Sequence, residues 1–548
     1  MNKKLSKKIE ILTLELAETP SIVGTKYEND VVRKIYEKFL NMEYFKKYPE
    51  NLKYVPIKND PLGRKSVMDM VKGEKGNSKK TVILIGHTDT VGISDYGTLK
   101  DYATKPLELV GKLKEISIPE EALKDLESEK YLFGRGIFDM KCGVATLMTI
   151  VEAISDDVKN FEGNIVFAAV CDEEGNSGGM LSVVPELVNL EKKEEFEYLA
   201  VIDTDYSAPR YDGDNTRYIY VGTVGKLMPS FYIVGSEAHV GDPFKGLDPN
   251  HISSAIAVEM DFNTKYCDEA EGEVTVPPIS LRQQDLKPEY SVQTAKTSHL
   301  YFNFSTHSST PDQMMDKVID GANLAFKKVI DSLNVEYKKY CDFNEFPYEK
   351  LPWEPRVMSY EQLYEKVKEE KCEEVDKVIK QLEEELLDNP NIDERAFALK
   401  MVETLHNMWS DKNPVVIAYY SPPYYPHIYV KGESPLEKKL LNVVNEVIEE
   451  TETDYDIKMK KFYPYISDLS YAAAPREENA IGSLKNNMPG FGTKYNLPIE
   501  EMQKLNLPVV NIGPFGKDAH KFTERLEKDY SFNVAPKLVY QTIVKLLK

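Results

Sequence analysis

Four short, β-rich apolar runs, each ending against acidic, histidine or glycine residues, constrain this chain more than any other feature. They span residues 81–85, 164–170, 198–202 and 508–512. Helical patterns lie between the first of them, as from 140 to 154. Strands that alternate with helices build a largely parallel sheet covered on both faces. The expected fold is therefore α/β. In open α/β sheets, ligands bind beyond the carboxyl ends of the strands. The polar residues that follow the four runs are thus expected in one crevice.

At 548 residues the chain is long enough for two or three domains. Residues 205–430 read differently from the rest, with strand patterns at 218–234 and 297–304 and helical ones at 248–260 and 312–333. This predicts an α+β domain inserted into a catalytic domain made of 1–204 and 431–548. Within the insertion, apolar residues at 360–387 recur at spacings of three and four between Glu and Lys, as in an amphipathic helix with a solvated face. Asn389-Pro390-Asn391 is expected to end it. The segment at about 334–419, with Tyr348, Trp353 and Trp409, reads as an extra helical piece. No internal repeat or long disordered tract is evident.

A net charge of −21 opposes a polyanionic partner, so no nucleic-acid role is expected. Cys142, Cys171, Cys267, Cys341 and Cys372 are scattered and form no C-x-x-C pair. That argues against a disulfide framework and a thiolate zinc knuckle. The start, Met1-Asn2-Lys3-Lys4, is basic but leads into a short amphipathic helix at 9–17 rather than an apolar signal core. No run approaches the ~18 apolar residues of a membrane span. A cytoplasmic protein without a membrane partner is expected.

Five motifs carry chemistry. Gly86-His87-Thr88-Asp89-Thr90 follows the first strand. His87 and Asp89, two apart in extended chain, share a side, and a carboxylate there can fix the tautomer of a metal-bound imidazole. They serve equally as an ordinary structural pair. Asp139, within Gly134-Arg-Gly-Ile-Phe-Asp-Met-Lys-Cys-Gly143, is either a helix cap after a glycine turn or a carboxylate whose two oxygens bridge two cations. Asp172-Glu173-Glu174 places adjacent acids after a buried strand, a costly arrangement unless a cation or hydrogen-bond donors offset it. Neighbours in extended chain face opposite ways. One glutamate would then ligate a metal while the other takes a proton from an activated water; the alternative is a solvated acidic turn. Asp203-Thr204-Asp205 ends the third strand and by itself reads as a turn or cap acid, and His520, which by itself reads as a surface residue, follows a Gly/Pro loop near the C-terminus. Nitrogen and oxygen donors without thiolate suit catalytic zinc, with manganese or cobalt as alternatives.

The order HTDT, GRGxxDMK, DEE, an acid after the next strand and a late AH resembles the co-catalytic zinc carboxypeptidase, dipeptidase and aminoacylase family, from about residue 9 to the end. The resemblance implies a parallel-sheet zinc-hydrolase domain with an inserted lid, and a hydrolase that cleaves an amide bond of a small peptide or N-acyl amino acid. Two divalent ions would be bound, one by His87, Asp139 and Asp203, the other by Asp139, Glu174 and His520. Asp205 rivals Asp203. Glu173 would be the general base and Asp89 the partner of His87. His239, in Gly235-Ser-Glu-Ala-His239, matches the lid histidine that stabilises the oxyanion across a homodimer. Where the family has T-D-x-R, this chain reads Ser467-Asp468-Leu469-Ser470, and where a lid strand often ends in D-x-R it reads Asn303-Phe304-Ser305. Both arginine anchors are absent, a departure shared with the arginine-utilisation (RocB-like) branch. The alternative is a weakly catalytic or non-catalytic metabolite-binding or regulatory protein linked to arginine utilisation. His251, His299, His307, His406 and His427 match no motif and read as structural or surface residues.

Overall fold

A computed structural model describes residues 3–548 apart from Pro390; the start at Met1-Asn2 and the proline of the expected helix stop lie outside the described residues. The chain forms two compact units. One joins Met1–Thr223, Ile428–Ala474 and Pro498–Lys548, and the other joins Val224–His427 and Pro475–Leu497. Among the described residues, no helix is long and apolar enough to cross a membrane.

The first unit is built on a nine-stranded mixed sheet. Its centre runs Asn164–Val170, Lys80–His87, Glu197–Asp203, Val509–Asn511, all parallel. These are the four expected strands, extended or trimmed by a residue or two. Antiparallel strands flank them: Lys65–Lys72 and then Leu52–Pro56 on one side, Arg217–Thr223 and then Ile428–Tyr429 on the other. Ile165, Phe167 and Ala169 join one core with Ile9, Leu147 and Leu538, while the intervening Val166, Ala168 and Val170 are equally buried on the opposite face. Burial on both faces is why these strands read as continuous apolar runs. The helix Cys142–Ser155 is buried along most of its length, packed beneath the sheet. Gly143 makes its approach feasible: a Cβ there would lie 2.1 Å from the carbonyl oxygen of Thr204.

The second unit has a six-stranded sheet with Thr297–Thr306, Pro229–Val234 and Val415–Tyr420 at its centre. Its helices include Pro249–Met260, capped by the Asp248 side chain, and the 34-residue Pro311–Asn344.

Four sequence expectations change. The pattern at 218–234 is not one strand. Arg217–Thr223 belongs to the large sheet, whereas Gly225–Leu227 and Pro229–Val234 belong to the small one, so the second unit begins at Val224 rather than 205. The segment Pro475–Leu497, read as catalytic domain, returns to the second unit. The extra piece at 334–419 is not only helical, because Val357–Ser359 and Val415–Tyr420 are paired strands of the small sheet. The amphipathic stretch at 360–387 is two helices, Tyr360–Lys371 and Glu373–Leu387, broken at Cys372, whose φ is +51°.

Candidate active site

The register of the central strands assembles the site. His87 pairs with Val170, the last residue before the Cys171–Glu174 segment. Ile85 pairs with Asp203, so the residue level with His87, two further along the neighbouring parallel strand, is Asp205. Asn511 lies beside Asp203 and its side-chain amide donates to the Asp205 carbonyl at 2.8 Å. Gly513 permits this approach, since a Cβ there would come within 1.7 Å of the same carbonyl oxygen.

Two overlapping groups result. His87, Asp139 and Asp205 form one; Asp139, Glu174 and His520 form the other. Within each, the candidate ligand atoms lie within 4.8 Å of one another. Asp139 is common to both. Its Oδ1 is 3.1 Å from His87 Nε2, and its Oδ2 is 3.0 Å from His520 Nε2. Glu174 Oε1 is also 3.0 Å from His520 Nε2. Glu173 Oε2 stands 4.0 Å from His87 Nε2, so the adjacent glutamates take different neighbours.

Two residues are placed otherwise than expected. Asp205, not Asp203, reaches His87 and Asp139. The Asp203 carboxylate instead accepts from the Ser467 hydroxyl at 3.0 Å and the Thr204 amide at 2.7 Å. The reason is the strand register, which puts Asp203 two residues below the level of His87. The Asp89 carboxylate is not tightly paired with the His87 ring, to which it comes no nearer than 3.8 Å. The ring's Nδ1 faces the Asp89 backbone carbonyl at 3.1 Å. The Asp89 side chain accepts the amides of Glu173 and Glu174, at 3.2 and 3.0 Å. It thereby ties the first motif to the third. His239 lies in the second unit, exposed, with its Nδ1 accepting the Gly241 amide at 3.0 Å. Nδ1 is thus the acceptor and Nε2 carries the proton.

The electrostatics are lopsided. His87, Asp139 and Asp205 are each no more than 5% exposed. Burial, then repulsion from Asp139, drives the Asp205 carboxyl well above its usual range. Burial does the same to Glu173, with His87 pulling down and Asp468, Glu174 and Asp205 pushing up. Burial and Asp139 raise Glu174. Asp139 alone is lowered: hydrogen bonds to His520 and His87 outweigh its burial. Burial would lower His520, but Asp139 and Glu174 carry it up to about 10. Asp468 adds a further buried carboxylate, which burial drives well above its usual range while Ser177 pulls it down. Two imidazoles cannot offset so many acids in a desolvated crevice. A pair of divalent cations can, and donors of nitrogen and oxygen sharing one carboxylate fit such a pair.

The profile of peptidase family M20/M25/M40 matches residues 83–544. Protein RocB of Bacillus subtilis (strain 168) is 36% identical over 550 residues, covering 99% of this chain and 95% of its own. YqjN of the same strain is 34% identical over 552 residues, covering 100% and 98%. A tripeptidase from Staphylococcus aureus subsp. aureus Mu50 has a similar fold, with a TM-score of 0.52, 12% identity and coverage of 99% and 98%. The chain belongs to peptidase family M20/M25/M40 and is a hydrolase of the metallopeptidase/amidohydrolase class.

Arg64 and Glu28 hold the Asp172–Glu174 turn from outside the motifs. Ser467, the partner of Asp203, likewise carries no signal for that contact in the sequence. Arg64 follows a Pro/Gly turn without apolar periodicity, and Glu28 opens a helix, where an acid is unremarkable. Only the folded contacts single them out.

Proposed function

We propose that this protein hydrolyses an amide bond of a small peptide or N-acyl amino acid, with Glu173 as general base. The observation that carries the reading is the sharing of Asp139 between the two ligand groups. His87, Asp139 and Asp205 would hold one divalent ion; Asp139, Glu174 and His520 would hold the other. Zinc fits these donors first, with manganese and cobalt as alternatives. When bound, such a pair supplies Lewis-acid activation of a water and of the substrate carbonyl. Glu173 accepts the proton of the attacking water and passes it to the leaving amine, a role supported by its place 4.0 Å from the His87 ring. Asp89 holds Glu173 and Glu174 in place through their amides.

His239 is assigned as oxyanion donor, supported by the proton on its Nε2. The second unit is assigned the part of lid and homodimer contact. Five cysteines without disulfides support a cytoplasmic location. Elemental analysis of protein purified without chelator tests the reading. About two equivalents of zinc, manganese or cobalt, reduced in His87→Ala and Asp205→Ala but retained in Glu173→Ala, would support it. Absence of metal after incubation with excess Zn²⁺ or Mn²⁺ would overturn it. Stoichiometric metal without turnover on dipeptide and N-acyl amino acid panels would favour the metabolite-binding alternative.

A further inference from the structure

The Asp172–Glu174 turn hangs on carboxylates. The Asp172 amide donates to Glu28 Oε2 at 2.9 Å. The next two amides go to Asp89 Oδ1 and Oδ2. The Asp172 side chain in turn accepts the Gly178 amide at 3.1 Å, closing the loop into the following helix. Asp172 itself adopts a φ of +66°, a left-handed conformation that an aspartate holds only when its surroundings fix it.

Three acids behind this turn share one guanidinium. Arg64 bonds Glu28 Oε1 at 3.2 Å, grips Asp60 through Nε and Nη2, and meets the Asp172 carboxylate. The Glu28 side chain is fully buried, that of Asp172 is 8% exposed and that of Arg64 is 12% exposed. Burial and the nearby Asp89 push Glu28 up to about 7, and Arg64 opposes them. Without the guanidinium, Glu28 and Asp172 face each other as buried like charges. The cheapest relief is for the Glu28 side chain to swing away, which releases the Asp172 amide.

We propose that Glu28 and Arg64 are positioning residues for the hydrolytic centre. They act through Asp172 and set where Glu173 and Glu174 stand. The proposal rests on the hydrolase reading above, because it takes Glu174 as a ligand and Glu173 as the base. It assigns work to residues well outside the chemical motifs: Glu28 lies 144 positions before the turn it holds.

Cobalt titration of the full chain tests it without a known substrate. The Co²⁺ absorption spectrum and hydrogen exchange of the amides at 172–174 are followed in Arg64→Met, Arg64→Lys and Glu28→Gln. The expected result is Co²⁺ affinity weaker by about 10- to 100-fold in Arg64→Met, an altered visible spectrum, and faster exchange confined to the turn. Arg64→Lys should recover part of both, and Glu28→Gln should repeat the effect more mildly. Glu28→Gln is nearly isosteric, so it keeps the test decisive if Arg64→Met folds poorly. Affinity, spectrum and exchange all at the parent values in Glu28→Gln and in any folded Arg64 variant would overturn the proposal. Glu174→Ala and His87→Ala run alongside. If they too bind Co²⁺ like the parent, the metal-site reading has failed; if they lose it while the Arg64 and Glu28 variants do not, only the positioning role has.

Discussion

The two units bury ionisable groups in opposite ways. At the strand ends of the large sheet, the buried Asp139, Asp205 and His87 crowd together with the half-buried Glu173 and Glu174 and the exposed His520. In the small sheet's surroundings, the buried imidazoles His299 and His406 stand among aromatic rings. His299 Nε2 meets the Tyr419 hydroxyl at 2.8 Å, and neither His406 nitrogen has a hydrogen-bond partner among the described residues. Burial lowers both histidines to about 4, so they are neutral at ordinary pH. Clustered acids that raise one another's proton affinity have no structural benefit and call for a cation. An isolated neutral imidazole packed on Tyr232 and Trp409 is core. Pattern rather than burial separates a site from a core residue.

The sharpest way to break this contrast is Glu173→Gln. Turnover should fall by about 10²- to 10⁴-fold with metal content unchanged, as read by kcat and elemental analysis. Loss of metal instead would make Glu173 a ligand and erase its distinction from Glu174. Next comes chelation. Ions held at the first unit's acids stabilise the fold by about 3–4 kcal/mol at 100–1,000 times their Kd. Both tryptophans, Trp353 and Trp409, lie in the second unit. Stripping the metal should therefore lower the melting midpoint seen by far-UV circular dichroism more than the midpoint seen by tryptophan fluorescence. Equal shifts would deny that the cation requirement is local to the first unit.

Acid should reverse the ranking. His299 and His406 bind a proton more readily in the unfolded chain, near pH 6.5, than in the fold, where their pKa is about 4. Their stabilising contribution is complete above pH 6.5 and drains away as pH falls toward 4, at up to about 3 kcal/mol for each imidazole. The tryptophan-detected midpoint should drop across that window. His406→Phe, which keeps the ring and removes the proton site, should flatten the drop; an unchanged pH profile would show that His406 is not held neutral.

Much of the site was legible from the sequence, because its residues follow strands whose apolar runs are unmistakable. What escaped was everything that depends on a second segment. Choosing Asp205 over Asp203 requires the Ile85–Asp203 register, a property of two strands. The split at Val224 hides inside one β-rich stretch that feeds two sheets. The break at Cys372 leaves the apolar periodicity intact on both sides. The strand Lys65–Lys72 went unread because Asp69 interrupts its apolar residues.

Asp69 also offers the smallest test of the contrast between units, because it is a lone acid in the unit of clustered ones. It is 1% exposed, and neither carboxylate oxygen has a hydrogen-bond partner among the described residues. Burial alone raises its carboxyl well above the usual range. Its folded form therefore holds a proton that the unfolded chain releases near pH 3.9. The sign follows: the cost of Asp69 is absent at low pH and grows as pH rises from about 4 through its raised folded value. Asp69→Val, close in size and suited to a strand, should raise the urea midpoint by about 1–2 kcal/mol of stability, and by more at pH 8 than at pH 5. A gain independent of pH would mean that Asp69 is charged in the fold and partnered. It would then belong with the acids of the hydrolytic crevice rather than stand as their solitary counterpart.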